Sequence, residues 1–353
     1  MEFGLSQEQV LLQDSINRYL KDQANLDVVR KFTAGEIDDK SLWAGLADLG
    51  VAGLIIPEEH GGVGLGNMDA VIVAECLGYH VTPGAFLSST VMAPSVLLAA
   101  GHTEPLAEIA SGNLRIGIAF SEAIGAREKA GVSLRQSHIS GKCLFVLDAD
   151  ADAYLIATPE QAIYLVQAEA AGLKRNRLTT IDKTQTICEL ILDEVKSELI
   201  STDRNIYLGA LEAGRVMQAA DTLGAAQCML DQAVAYAKQR EQFNRVIASF
   251  QAVKHMCAEM AAHLEPCRSM VWYAGHALQA ELEDANLLAC HAKAHLAEVG
   301  QFVAKTATEV HGGMGFTDLV GLHYWFKRIG FNRQLLGSPD QLREDAARIQ
   351  SLV

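Results

Sequence analysis

Positive charge, proline and aromatic residues are all scarce in this sequence. Lysine and arginine number 29 against 43 aspartates and glutamates, a net charge of −14. That shortage argues against general nucleic-acid binding, because no basic stripe exists to neutralise phosphates. Proline is 7 of 353 residues and aromatics are 6%, while half the residues are hydrophobic. This is an ordinary, mainly helical globular composition. No apolar run approaches the ~20 residues that span a bilayer. The opening MEFGLSQEQVLLQDSINRYL lacks the basic and apolar regions of a signal peptide. The cysteines, at 76, 143, 188, 228, 257, 267 and 290, are odd in number and form no CxxC pair. They read as reduced thiols in a cytoplasmic protein.

What is present falls into three textures. From Gln7 to about Ala100 the pattern is helical, with a capping box at Ser6 and Gln9 and a stop at Gly50. Short β-type runs begin at Leu114 and continue to about 200, among them GVSLRQSHISGKCLFVL, AIYLVQ and ICELILDEV. From Ile206 long apolar helices return, sufficient for a four-helix bundle. The expected organisation is a helical domain (1–113), a β domain (114–200) and a helical bundle (201–353). Glycines 209, 214 and 224 predict close helix–helix approach. The stretch LGAAQCMLDQAVAYA is apolar on more than one face, which predicts cover from another subunit and a dimer of dimers.

The segment EVHGGMGFT, Glu309 to Thr317, raises a specific question. Helix-compatible sequence runs into three glycines in four residues, and glycine is the least favoured helix residue after proline. A dinucleotide fingerprint would follow a strand and open a helix, and this one follows a helix. The stretch REQFNRVIASFQ places Arg240, Phe243, Phe250 and Gln251 around a break near Asn244. An arginine there could meet a phosphate, with the aromatic ring and the amide beside it; a helix end followed by an amphipathic start is the plainer reading. CHAKAH sets His291 and His295 four apart, but no further ligand motif accompanies them, so helix-packing histidines are favoured over a metal site. PEEHGG lacks the second histidine of HExxH.

Taken in order, LWAGLADLGVAGLIIPEEHGGVGLG, AECLGYH, REQF with FQAVKHMCAEM, and EVHGGMGFT resemble the acyl-CoA dehydrogenase family along essentially the whole chain. The resemblance implies a mainly α fold with a central β module: N-terminal helical domain, small β-barrel or sandwich domain, C-terminal four-helix bundle. It also implies FAD, an acyl-CoA substrate, α,β-desaturation, and an electron-transfer flavoprotein or similar acceptor. In this family the Arg-x-x-Phe and Gly-Gly-x-Gly segments hold the nucleotide part of a neighbouring subunit's FAD. The matching positions are Arg240, Phe243, Gln251, Gly312, Gly313 and Gly315, with Glu309 standing where the family usually has glutamine.

The sequence also departs from the family. The Thr-Glu-Pro and Gly-Ser-Asp segments that help hold flavin and thioester are reduced to Ser121-Glu122 within FSEAIGAREKAG, and VLDADADAYLIA replaces the Trp-Ile-Thr segment. The two places where the family keeps its catalytic glutamate carry Gly337, in LLGSPDQL, and Gly214. Glu212 is two residues from the latter, ~200° around a helix, and Asp340 has a weak claim on the C-terminal loop. These departures imply a supporting subunit of a hetero-oligomeric, heterotetrameric enzyme, such as those acting on bulky, sterol-side-chain-like CoA thioesters. A self-sufficient homo-oligomeric dehydrogenase and a flavin-free CoA- or partner-binding scaffold are the competing readings.

Overall fold

The computed structural model describes residues 4–120 and 131–352. The N-terminal helices are α1 (Gln7–Gln23), α2 (Leu26–Ala34), α3 (Lys40–Asp48), α4 (Asn67–Tyr79), α5 (Ala93–Ala99) and α6 (Leu106–Ala110). The α1 start carries the reciprocal Ser6–Gln9 capping box, and Asn25 caps α2 by accepting from the Asp27 and Val28 N–H groups. The expected apolar helix from Ser88 to Ala100 begins instead as a π-helix, Phe86–Met92, and becomes regular only at α5.

Among the described residues, eight strands follow: β1 (Ile116–Ala119), β2 (Gly131–Arg135), β3 (His138–Leu147), β4 (Ala153–Ala157), β5 (Ile163–Gln167), β6 (Leu173–Leu178), β7 (Ile187–Lys196) and β8 (Glu198–Ser201). They form one mixed sheet in the order β6-β7-β3-β1-β4-β5-β8, with β2 paired to β3. Only β1 and β4 are parallel among these pairs, with Ile116 opposite Ala153 and Ile118 opposite Leu155. The edge strand β6, LKRNRL, is charged and exposed at its centre. That is how an edge resists pairing with other chains, and it is also why the hydrophobic pattern does not reveal it.

The C-terminal part comprises α7 (Arg204–Gln239), a two-residue hairpin β9 (Glu241–Gln242) and β10 (Arg245–Val246), then α8 (Gln251–Gln279), α9 (Ala285–His311), α10 (His323–Asn332) and α11 (Pro339–Ile349). α7 is central. Leu223, Ala225, Ala226, Met229 and Ala233 are fully buried within this chain. The surface expected to need another subunit is therefore covered by the chain's own α4, α8 and α9. α4 and α7 touch backbone to backbone: a Cβ on Gly78 would lie 1.9 Å from the Asp221 carbonyl oxygen, and one on Gly224 would lie 1.9 Å from that of Glu75. Gly214 is also tightly packed, whereas a Cβ on Gly209 would meet nothing within 4 Å. Among the described residues, no helix is long and apolar enough to cross a membrane.

Two buried arginines join the three parts. Arg115, beside β1, donates to both oxygens of Asp39 at 2.9 and 3.0 Å and to Asp148 at 2.8 and 2.9 Å. Arg328 of α10 donates to both oxygens of Asp221 on α7, to the Thr184 hydroxyl, and to the Thr82 carbonyl. Its guanidinium also stands 3.7 Å from Asp182, and both side chains are almost wholly buried.

Candidate functional site

α7 and α9 lie side by side and run the same way. Arg215 meets Cys290 near their starts, and the Tyr236 ring stacks on His311 at 4.5 Å near their ends. This parallel arrangement brings the segment after α7 and the segment after α9 to one end of the bundle. Arg240 terminates α7, its N–H still bonded to the Tyr236 carbonyl while its own backbone is extended. The break expected near Asn244 is a tight hairpin. Gln242 pairs with Arg245, and Phe243 and Asn244 form the turn at φ 55° and 61°. Two left-handed residues make a type I′ turn, which suits asparagine and disfavours phenylalanine. Phe243 is nonetheless there, 86% exposed. Its ring meets Phe250 edge-on at 6.1 Å, and the Arg245 guanidinium lies 3.9 Å over Phe250. Gln251 is exposed at the start of α8.

The glycines divide into two kinds. Gly312 follows α9 at φ 60°, ψ −141°, and a Cβ on it or on Gly313 would meet nothing within 4 Å. Nothing in this chain crowds either residue. Gly315 differs, because a Cβ there would stand 2.8 Å from the Thr308 carbonyl oxygen; it serves the chain's own packing. Glu309 is exposed on the last turn of α9. His311 is buried with Nδ1 2.7 Å from the Ala307 carbonyl, and burial lowers its pKa. The C-termini of α7 and α9 contribute partial negative charge here. Arg240, Arg245 and the N-terminus of α8, which has no side-chain cap, contribute the opposite sign.

The two glycines at the expected base positions lie near each other, deeper in the fold. A Cβ on Gly214 would be 2.7 Å from Leu336 Cδ1 and 2.8 Å from Met92 Sδ, so no larger side chain fits without rearrangement. Gly337 sits at φ 115°; a Cβ there would have ordinary contacts, 3.4 Å to Leu342 and 3.5 Å to Arg215 Nη2. Glu212 lines an open cleft of about 430 Å³ together with Arg204, Tyr207, Arg215, Asn286, Gln341 and Arg348. Burial pushes its carboxyl up to about 7, with Arg215 acting in the opposite direction. Asp340 is exposed in the first turn of α11, 3.3 Å from Arg343.

The flavin- and thioester-holding positions Ser121 and Glu122 lie outside the described residues. In the stretch standing for Trp-Ile-Thr, Asp148 is committed to Arg115. His291 and His295 are both exposed on α9. Among the described residues, no group of three or more His, Cys, Asp or Glu side chains comes together to hold a metal ion. Sequence reasoning overlooked Lys293, which is 2% exposed and donates to the carbonyls of Asn332 (2.8 Å) and Gly337 (3.3 Å). Burial lowers its pKa to about 7. The signal was available, since Lys293 shares the buried helical register of Ala289, Leu296 and Ala297.

Family models match at both ends: "Acyl-CoA dehydrogenase, N-terminal domain" over residues 6–109 and "Acyl-CoA dehydrogenase, C-terminal domain" over residues 205–350. The chain is similar to acyl-CoA dehydrogenase IpdE2 of Mycobacterium tuberculosis, at 31% identity over 98% of each chain. It is 30% identical to IpdE2 of Mycolicibacterium smegmatis, over 98% of this chain and 100% of that one. Among solved structures, a variant of the Tcur3481–Tcur3483 steroid ACAD superposes with a TM-score of 0.88 at 26% identity, covering 98% of both chains. The ChsE4–ChsE5 complex from Mycobacterium tuberculosis shares the fold, with a TM-score of 0.90 over 100% of both chains at 24% identity. Matched at both ends and aligned with these relatives over 98% of its length, this chain belongs to the acyl-CoA dehydrogenase family, oxidoreductases that act on a CH–CH group.

Proposed function

We propose that this chain is the supporting subunit of a hetero-oligomeric, FAD-dependent acyl-CoA dehydrogenase, holding the nucleotide part of a homologous partner's FAD. The carrying observation is the contrast between its two glycine sites. Gly312 and Gly313 face open space at the bundle end that also carries the exposed Phe243, whereas glycine stands at both expected base positions and the ends of Met92 and Leu336 fill the space beside Gly214. The first arrangement leaves room for a large planar anionic ligand, and the second supplies no carboxyl group to act as base. Arg240 would pair with the pyrophosphate, Phe243 would pack on the nucleotide, Gln251 would hydrogen-bond it, and Gly312 and Gly313 would admit it. Glu309 opposes an anion at this end, so Arg240 and the α8 N-terminus must outweigh it.

When bound, FAD supplies the acceptor for the hydride that leaves the β carbon. Proton removal from the α carbon needs a placed carboxylate, which this reading assigns to the partner. A bulky, steroid-like acyl group is supported by the steroid ACAD among its relatives, and assembly as a heterotetramer by relatives solved as complexes. An electron-transfer flavoprotein or similar acceptor would reoxidise the cofactor.

The visible absorption spectrum tests this, taken on the chain purified alone and again with its homologous partner. Flavin absorbance only in the complex is the expected result. Absorbance from the chain alone would make it a self-sufficient homo-oligomer; none in either state would make it a CoA- or partner-binding scaffold.

A companion prediction concerns the remaining carboxylates. Glu212→Gln and Asp340→Asn should leave turnover by the complex within several-fold of normal, whereas losing a positioned base typically costs ~10²–10⁴-fold. Glu212 has a raised folded-state pKa, so its stabilising effect is complete below its unfolded pKa and lost as pH rises through about 7. Glu212→Gln should therefore flatten the stability profile between pH 5 and 8. A base-sized loss of turnover in either variant, with flavin intact, would move catalysis to this chain.

A further inference from the structure

Three lysines from separate parts of the chain converge on one cleft of about 410 Å³. Lys31 belongs to α2, Lys183 to the connection between β6 and β7, and Lys327 to α10. Lys31 and Lys183 are exposed and Lys327 is half-buried. Among the described residues, none of the three has an ion-pair or hydrogen-bond partner for its ammonium group. Like charges repel, so gathering them is unfavourable unless an anion joins them. The chain as a whole carries a net −14, so composition does not account for the cluster.

The acids of the same wall are already engaged. Asp318 pairs with His323 Nε2 at 2.9 Å and lies 3.7 Å from Arg30 Nε. The His323 hydrogen bond holds its carboxyl below the usual range. Asp182 is 1% exposed, accepts from the Thr184 N–H and hydroxyl at 2.9 and 2.6 Å, and faces Arg328. Arg30 is spent as well, on Asp27 and on the carbonyls of Asp318 and Leu319. Of the lining carboxylates, Glu36 is left to offset three ammonium groups. A larger cleft alongside shares Lys183 and Glu36, but its arginines are taken: Arg177 bonds Asp150, and Arg175 bonds the Ala151 carbonyl and the Tyr154 hydroxyl.

The remaining lining is partly apolar. Ile181 is 65% exposed, and the Tyr324 ring lies 4.2 Å from that of His323. The volume is within the ~300–1,000 Å³ of small-molecule sites. We propose that this cleft binds a small organic phosphate, with Lys31, Lys183 and Lys327 around the phosphoryl group and Ile181 and Tyr324 against the rest of the molecule. Ammonium groups meet phosphate oxygens as point charges with several donors each. A ligand held there ties the N-terminal helices, the β domain and the bundle together. None of Arg240, Phe243, Gly312 and Gly313 lines the cleft, so the inference stands whether or not the chain holds a neighbour's cofactor.

The test titrates the full chain with phenyl phosphate and with inorganic phosphate by calorimetry, at low salt so that screening stays small. Phenyl phosphate should bind at least about tenfold more tightly than inorganic phosphate, and should raise the temperature of thermal unfolding. Lys183→Gln with Lys327→Gln should weaken its binding at least about tenfold, and Ile181→Ser should erase the preference for the phenyl ester. If the double variant does not fold, Lys183→Gln alone, at an exposed position, carries the same test. Equal affinity for the two phosphates, or no binding of either at millimolar concentration, would overturn the proposal. Binding lost with Arg240→Ala but kept in the lysine variant would place the phosphate at the bundle end instead. Failure of both phosphates, with a glutamate-rich peptide bound through the same lysines, would make the cleft a docking face for an acidic protein segment.

Discussion

Arg328→Leu should lower the stability of the chain by about 3–5 kcal/mol, the typical cost of removing one partner from a buried charge network. The arginine is 3% exposed and bonds groups from all three parts of the fold: Thr82, Thr184 and Asp221. Leucine would leave the Asp182 and Asp221 carboxylates without their cation. Burial already raises the Asp182 pKa, against the lowering effect of Arg328. Without Arg328 the rise should be larger. A group with a raised folded-state pKa stabilises below its unfolded pKa and ceases to do so as pH climbs through the folded value. The variant's deficit should therefore be greatest near pH 8 and shrink towards pH 4.5. Urea unfolding at both pH values measures it. A deficit below about 1 kcal/mol, or one independent of pH, would mean that the network contributes little beyond packing.

The second large effect falls on cofactor occupancy. Arg240→Ala should weaken flavin retention in the complex by roughly 10- to 150-fold, corresponding to about 1.5–3 kcal/mol for a charge-assisted contact. Gly313→Val should act in the same direction by closing the approach to the backbone. Residue 313 is the right glycine for this test, because a Cβ there meets nothing in the chain. At Gly312 a side chain would be strained at φ 60°, and at Gly315 it would strike the Thr308 carbonyl, so those variants would confuse folding with binding. The ratio of flavin to protein absorbance, read beside thermal unfolding, separates the two. Full retention with normal unfolding in both variants would make these segments structural only.

Much of the architecture was legible because long helices announce themselves. The apolar periodicity of the C-terminal third, the capping box at Ser6 and the turn to strand-like runs at Leu114 all rest on local physics. What stayed hidden depends on partners distant in sequence. β6 is polar because it is an edge, and the π-helix at Phe86–Met92 reads as ordinary apolar helix. LGAAQCMLDQAVAYA looked like an interface because an all-round apolar helix must be covered, but the sequence does not say by what. The cover is α4 and the chain's other helices. At the candidate site, periodicity could find the glycines but not sort them: only the packed fold separates Gly315, where a Cβ would strike the Thr308 carbonyl, from Gly313, where one would meet nothing within 4 Å. Lys293 stays hidden because a lysine reads as a surface residue, and its burial follows from the α9 face it shares with Ala289 and Leu296.

The backbone contact between α4 and α7 also bears on how the polypeptide is made. Residues 69–78 of α4 are buried in the native fold, and Tyr79 bonds Asp231, 152 positions further along. At translation rates of ~5–20 residues per second, α4 leaves the ribosome about 8–30 s before the helix that covers it. For that interval an almost wholly apolar helix has no native partner, and pairing at such separation is slow to form even afterwards. Nascent chains of this protein should therefore depend on chaperones. A fragment beginning at α7 would expose the seat that α4 normally fills, and should aggregate when expressed without the N-terminal helices.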